Sequence, residues 1–131
     1  MDPDLGFPIA LSATLILLAL VVATGVRRRV RLHIPLVALA VGSLGVTIYF
    51  AERLGHHYDL RSAGAITPIH LALAKVATVA YLLPLSTGIA TLRNRRWRPV
   101  HFWCAMVVLV LTVVTAVTGS IMLAMSERIA P

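Results

Sequence analysis

Four stretches of the chain, residues 7–26, 32–51, 69–92 and 100–125, carry almost no charge, and each is at least 20 residues long. About 20 helical residues cross a hydrocarbon core about 30 Å thick. A membrane-spanning barrel would need short segments of alternating polarity, whereas these runs are continuous. Water is a poor alternative solvent. The chain has only 131 residues, 59% of them hydrophobic and 13% charged, with a mean hydropathy of +0.89. A soluble domain of that size has too much surface for its volume to hide so much apolar material. The expectation is an all-α fold: an integral membrane four-helix bundle, one transmembrane domain over residues 1–131, with the four runs as its spans.

The net charge of +7 is not the footprint of a nucleic-acid partner, because it is concentrated in two short connections. Arg27, Arg28, Arg29 and Arg31 follow the first run, and Arg93, Arg95, Arg96 and Arg98 follow the third. The remaining loop and the two tails hold Asp2, Asp4, Glu52, Asp59 and Glu127 against Arg53, Arg61 and Arg128. Basic loops stay on the cytoplasmic side, which puts both termini outside in a bacterial-type inner (cytoplasmic) membrane. Topology alone accounts for these arginines; binding of anionic lipid is the alternative. The acidic start MDPDLG lacks the basic region of a secretory signal, so the first span is expected to be retained. Cys104 is the single cysteine, which excludes an intrachain disulfide and any cysteine-based metal motif.

Each span has its own character. The first has no histidine, and its Ser12, Thr14 and Thr24 can satisfy themselves on the backbone, which suggests a lipid-exposed, mainly structural helix. In the second, Pro35 suits a first helical turn, and Ala38, Gly42 and Gly45 form a small face that admits another helix or a flat cofactor. The third carries Lys75 about one and a half turns inside the outer surface, where a charge is costly. Lys75 either snorkels outward to Asp59 or Glu52 or anchors an anionic group such as a haem propionate. Pro84 should kink this span. The fourth opens with Trp97, Phe102 and Trp103 as an interfacial aromatic belt, and Thr115 and Gly119 repeat the small-residue spacing.

The five histidines fall into two layers once the chain is threaded. His33 opens the second span and His101 the fourth, both at the cytoplasmic side. His70 opens the third span from outside, and His56 and His57 follow the outer end of the second. A single interfacial histidine needs no special role. Two layers of them are a stronger pattern, because neutral imidazole is the commonest protein metal ligand and facing helices can supply two imidazoles to a haem iron. The candidate cofactor is haem b, with copper or no cofactor as alternatives. The candidate ligands are His33 with His101, and His70 with His56 or His57; Lys75 is a candidate propionate anchor. No HExxH motif, phosphate-cradling glycine loop or serine nucleophile motif is present, so an enzyme is not expected.

The chain resembles the small four-helix bacterial membrane proteins of the YozB/CtaM type over roughly residues 27–125. The marks are a basic turn before His33, Tyr49-Phe50 near the end of the second span, His56, His70 in IHLALA, Pro84-Leu85, Thr91-Leu92, a basic turn before His101, and Thr118-Gly119. Phe102 stands where the family commonly has a basic residue. The resemblance implies a role in maturation of haem-copper terminal oxidases, with an oxidase or another respiratory complex subunit as partner in the bilayer. Two other functions fit the residues: a small bis-histidine b-type cytochrome carrying electrons across the membrane, and a cofactor-free structural accessory subunit.

Overall fold

Uncharged runs of this length have only one economical way to satisfy their backbone away from water, and the computed structural model of the protein is accordingly almost all helix. It describes residues 2–129. Helix α1 is Pro3–Val26, α2 Val30–Gly55, α3 Ile66–Ala80, α4 Leu82–Arg93 and α5 Arg98–Met125. Four helices among the described residues are long and apolar enough to cross a membrane: Pro3–Val26, Val30–Gly55, Ile66–Arg93 (α3 with α4) and Arg95–Met125. The helices group into two compact units, the first ending at Tyr58 and the second spanning Asp59–Arg128.

The first unit is an antiparallel pair, α1 against α2. Its turn is only three residues long. Arg29 N–H donates to the Thr24 carbonyl (2.9 Å) and Arg28 N–H to the Gly25 carbonyl (3.1 Å), the double closure that satisfies the last orphan carbonyls of a helix. This closure puts Arg28 at φ 59°, a left-handed backbone that an arginine adopts only under constraint. Midway along the pair, Thr14 is 1% exposed. Its hydroxyl bonds the Ala10 carbonyl (2.9 Å), Ser43 (2.7 Å) and Thr47 (2.9 Å). Near the open end the Phe50 ring lies on Gly6, so close that a β-carbon there would fall 2.5 Å from Cε1.

The second unit repeats this plan with a broken arm. The third span divides at Tyr81, three residues before Pro84. The ring of Pro84 removes the donor that would have reached the Ala80 carbonyl and crowds that carbonyl, so Pro84 sits in the first turn of α4. Tyr81 then reaches across to Thr112 (2.9 Å), whose hydroxyl also bonds the Val108 carbonyl (2.7 Å). The connection to α5 is a short 3-10 turn over Arg95–Trp97. Asn94 caps it by accepting the Arg96 N–H (3.0 Å). At the other end a 3-10 helix, Leu60–Ala63, is capped by Asp59, whose Oδ1 accepts the Arg61 N–H (3.0 Å). Glu127 N–H closes onto Ser62 Oγ (2.8 Å).

Two sequence expectations need correcting. Helix α2 starts at Val30, so Pro35 lies in its second turn and leaves the Arg31 carbonyl without its usual donor. A β-carbon at Gly42 or Gly45 would meet nothing within 4 Å, and Ala38 is exposed; within the first unit α1 does not press on that face. Finally, Thr14 does bond its own backbone, but it also ties α1 to α2, so the first span is more than a lipid-facing wall.

Because polar groups buried between apolar helices have few other partners, removing the Thr14 hydroxyl should loosen the first pair. Thr14→Val is expected to cost about 1 kcal/mol, read from reversible unfolding in mixed detergent. A Ser12→Ala control, on the exposed side of α1, should change nothing measurable.

Candidate functional site

Three of the five histidines rest on the same local device. His33 Nδ1 lies 3.3 Å from Thr24 Oγ1 and 3.0 Å from the Val21 carbonyl. His70 Nδ1 lies 3.2 Å from Thr118 Oγ1. His101 Nδ1 lies 3.3 Å from Thr87 Oγ1. In every case the next residue is a glycine beneath the ring. A β-carbon would fall 3.1 Å from His33 Cε1 at Gly25, 2.7 Å from His70 Cε1 at Gly119, and 3.2 Å from His101 Cε1 at Gly88. The chain contains three Thr-Gly steps in all, Thr24-Gly25, Thr87-Gly88 and Thr118-Gly119. Each one carries a histidine from the antiparallel neighbour.

The direction of these bonds assigns the tautomer. A threonine hydroxyl has one proton and two lone pairs. Thr24 donates to the Leu20 and Val21 carbonyls (2.8 and 3.0 Å). Thr87 donates to the Leu83 carbonyl (2.6 Å). Thr118 donates to the Val114 and Thr115 carbonyls (2.9 and 3.1 Å). With the proton committed to the helix backbone, each hydroxyl presents a lone pair to the ring. Nδ1 must therefore be the protonated nitrogen. The Val21 carbonyl, which can only accept, says the same for His33. Protonation at Nδ1 leaves Nε2 as the nitrogen with the lone pair, the arrangement typical of a metal-ligating histidine whose other nitrogen is fixed by a carbonyl or hydroxyl oxygen.

The remaining candidates sit differently. His56 and His57 follow the last turn of α2 and are exposed. Their backbone amides still bond Arg53 and Leu54 carbonyls, but neither ring rests on a Thr-Gly step. Lys75 is exposed on α3, and the Asp59 carboxylate caps the Leu60–Ala63 turn. Tyr49 and Arg53, one turn apart on α2, join through Arg53 Nη1 to Tyr49 Oη (2.9 Å).

Within one unit the seated histidines do not meet. In the second, His101 and the Thr118 that holds His70 are 17 residues apart on α5, about 26 Å of helix rise. In the first, His33 and His56 are 23 residues apart, about 34 Å of rise. No group of three or more His, Cys, Asp or Glu side chains gathers within either unit among the described residues. Each ligand pair expected from the threading takes one histidine from each unit.

The sequence named the three seated histidines and Thr118-Gly119, but Gly25, Thr87 and Gly88 passed unremarked, and Thr24 was read only as a hydroxyl satisfied on its own backbone. The repeated Thr-Gly dipeptide was the available signal. Comparison with known proteins adds nothing to this geometry: no protein-family model, curated protein or solved structure matches the chain.

The two kinds of glycine should respond in opposite directions. Gly119→Ala must push the His70 ring away and is expected to destabilise the second unit. Gly42→Ala enters open space inside a helix and should stabilise by about 0.5–1 kcal/mol. Unfolding of the two variants side by side in the same detergent checks both signs.

Proposed function

We propose that this is a multi-pass protein of a bacterial-type inner membrane, with both termini outside, that binds haem b through histidines at the two membrane faces and assists the assembly or function of a respiratory terminal oxidase. The observation that carries the haem reading is the shared seat of His33, His70 and His101. Each ring has Nδ1 held by a threonine hydroxyl, which leaves Nε2 as the nitrogen that would bind iron. Neutral imidazole is a ligand that haem iron takes. The candidate ligands are His33 and His101 toward the inner face, and His70 with His56 or His57 toward the outer one. Lys75 offers an ammonium for a propionate on the outer side, and the arginine turns offer guanidinium groups on the inner. Bound haem would supply one-electron chemistry; the chain itself binds and orients the group and keeps its ligand nitrogens in one protonation state. The link to an oxidase rests on the resemblance to proteins of the YozB/CtaM type.

The separation of His70 and His101 along the second unit favours a second reading, a small b-type cytochrome. Two sites about 26 Å apart along the helices would form two steps of an electron path across the membrane.

Oxidised and dithionite-reduced absorption spectra of the detergent-purified protein, with iron and copper assayed on the same sample, test these readings. A sharp reduced α-band with one or two iron per chain is expected, weakened when His33 and His101 are replaced by alanine. Copper without haem bands would turn the site to copper delivery. A folded protein with neither metal would overturn the haem reading and leave a structural accessory subunit.

A further inference from the structure

The charges of the second unit, Asp59–Arg128, are sorted to its two ends. The turn between α4 and α5 carries Arg93, Arg95, Arg96 and Arg98. The unit's only acids are Asp59 and Glu127, and residues 60–126 contain none. Both acids lie at the open end, where Glu127 N–H closes onto Ser62 Oγ. Helix α5, with 28 residues, separates Glu127 from the basic turn by about 40 Å of rise. That is several times the screening length of about 8 Å at physiological salt. No counter-charge within the unit reaches the four guanidinium groups.

The turn does not need those groups to hold its own shape. Asn94 closes it: its carbonyl accepts the Trp97 N–H (3.1 Å) and its side chain accepts the Arg96 N–H (3.0 Å). The side chains of Arg93, Arg95 and Arg96 are exposed. By contrast, Arg53 at the open end of the first unit already gives a guanidinium N–H to Tyr49 Oη. Two tryptophans flank the basic turn. Trp97 is 47% exposed and Trp103 67%. Amphipathic indole rings settle at the headgroup level of a bilayer, so this pair sets the depth of the neighbouring arginines among lipid phosphates. All four cations are arginine, whose planar guanidinium meets a phosphate with two parallel N–H bonds.

We propose that the turn joining α4 and α5 is a binding site for the headgroup of an anionic phospholipid, with Arg93, Arg95 and Arg96 as donors to its phosphate. The site is complete within one unit and is independent of haem. Orientation in the membrane asks only for positive charge near the ends of the spans. It does not ask that guanidinium groups stand exposed beside two indoles with no acid in reach. The missing counter-charge comes from the lipid.

Trp97 and Trp103 are the chain's two tryptophans, so intrinsic tryptophan emission reports on this turn alone. The full chain is reconstituted into phosphatidylcholine vesicles that hold the same mole fraction of either dibrominated phosphatidylglycerol or dibrominated phosphatidylcholine, whose bromines quench nearby indoles. At low ionic strength the brominated phosphatidylglycerol is expected to quench as if enriched about five-fold at the turn. In about 1 M salt, where the screening length falls to about 3 Å, the enrichment should drop toward one. The Arg95→Gln, Arg96→Gln double variant should lose most of it as well. Equal quenching by the two lipids at low salt would overturn the inference and leave the arginines to orientation or to an acidic protein partner. So would an enrichment that the double variant keeps in full, because the lipid would then be drawn by the net charge of the chain at large. Both substituted residues are exposed, and the salt series uses the unaltered chain, so the test stands even where the variant fails to fold.

Discussion

A threonine hydroxyl inside an apolar helix has one proton and a nearby backbone carbonyl to receive it. Once that proton is given away, the hydroxyl can only accept from the opposite side. Thr24, Thr87 and Thr118 are all in this state, and each faces an imidazole Nδ1. The consequence is electrical as well as structural. To make a hydrogen bond there, the ring nitrogen opposite a lone pair has to carry a proton. Its partner Nε2 then has to be the basic one. The glycine that follows each threonine removes the side chain that would otherwise stand where the ring lies. One dipeptide thus sets the position, the orientation and the tautomer of a histidine on another helix.

The same economy extends to the rest of each pair. Apolar helices in a bilayer gain little from burying leucine against leucine, because lipid is equally apolar; close approach and hydrogen bonds do more of the holding. The contacts follow that logic. Thr14 with Ser43 and Thr47, and Tyr81 with Thr112, supply polar ties midway. Gly6, Gly25, Gly88 and Gly119 supply close approach under rings. The histidine seats are continuous with this packing, so each imidazole is fixed by the same contacts that fix the helices.

Much of the helical plan was legible in the sequence because it depends on properties read along a single segment. Length and absence of charge located the spans, and Pro84 announced the break that falls at Tyr81. The histidines stood out because titratable side chains at the ends of apolar runs are few. What could not be read locally was the register between helices. Thr24 and Thr87 look like ordinary self-satisfied hydroxyls until a histidine from the neighbouring helix is placed opposite them. Gly42 and Gly45 looked like a packing face by spacing alone, yet α1 does not use it, whereas Gly25 and Gly88 had no small partner four residues away and seat a ring. The start of α2 was missed because its first turn is basic, and a basic segment at the end of an apolar run is easily mistaken for loop.

The central claim is that the rings of His33, His70 and His101 are held at Nδ1 by hydroxyl lone pairs, while those of His56 and His57 are not. Nitrogen-15 NMR of the protein with labelled histidine rings, in detergent and before any haem is added, measures this directly. The account predicts three rings protonated at Nδ1 and unprotonated at Nε2, and two rings of different, solvent-averaged character. Protonation at Nε2 in the three seated rings would contradict it, because the threonines would then be turned the other way.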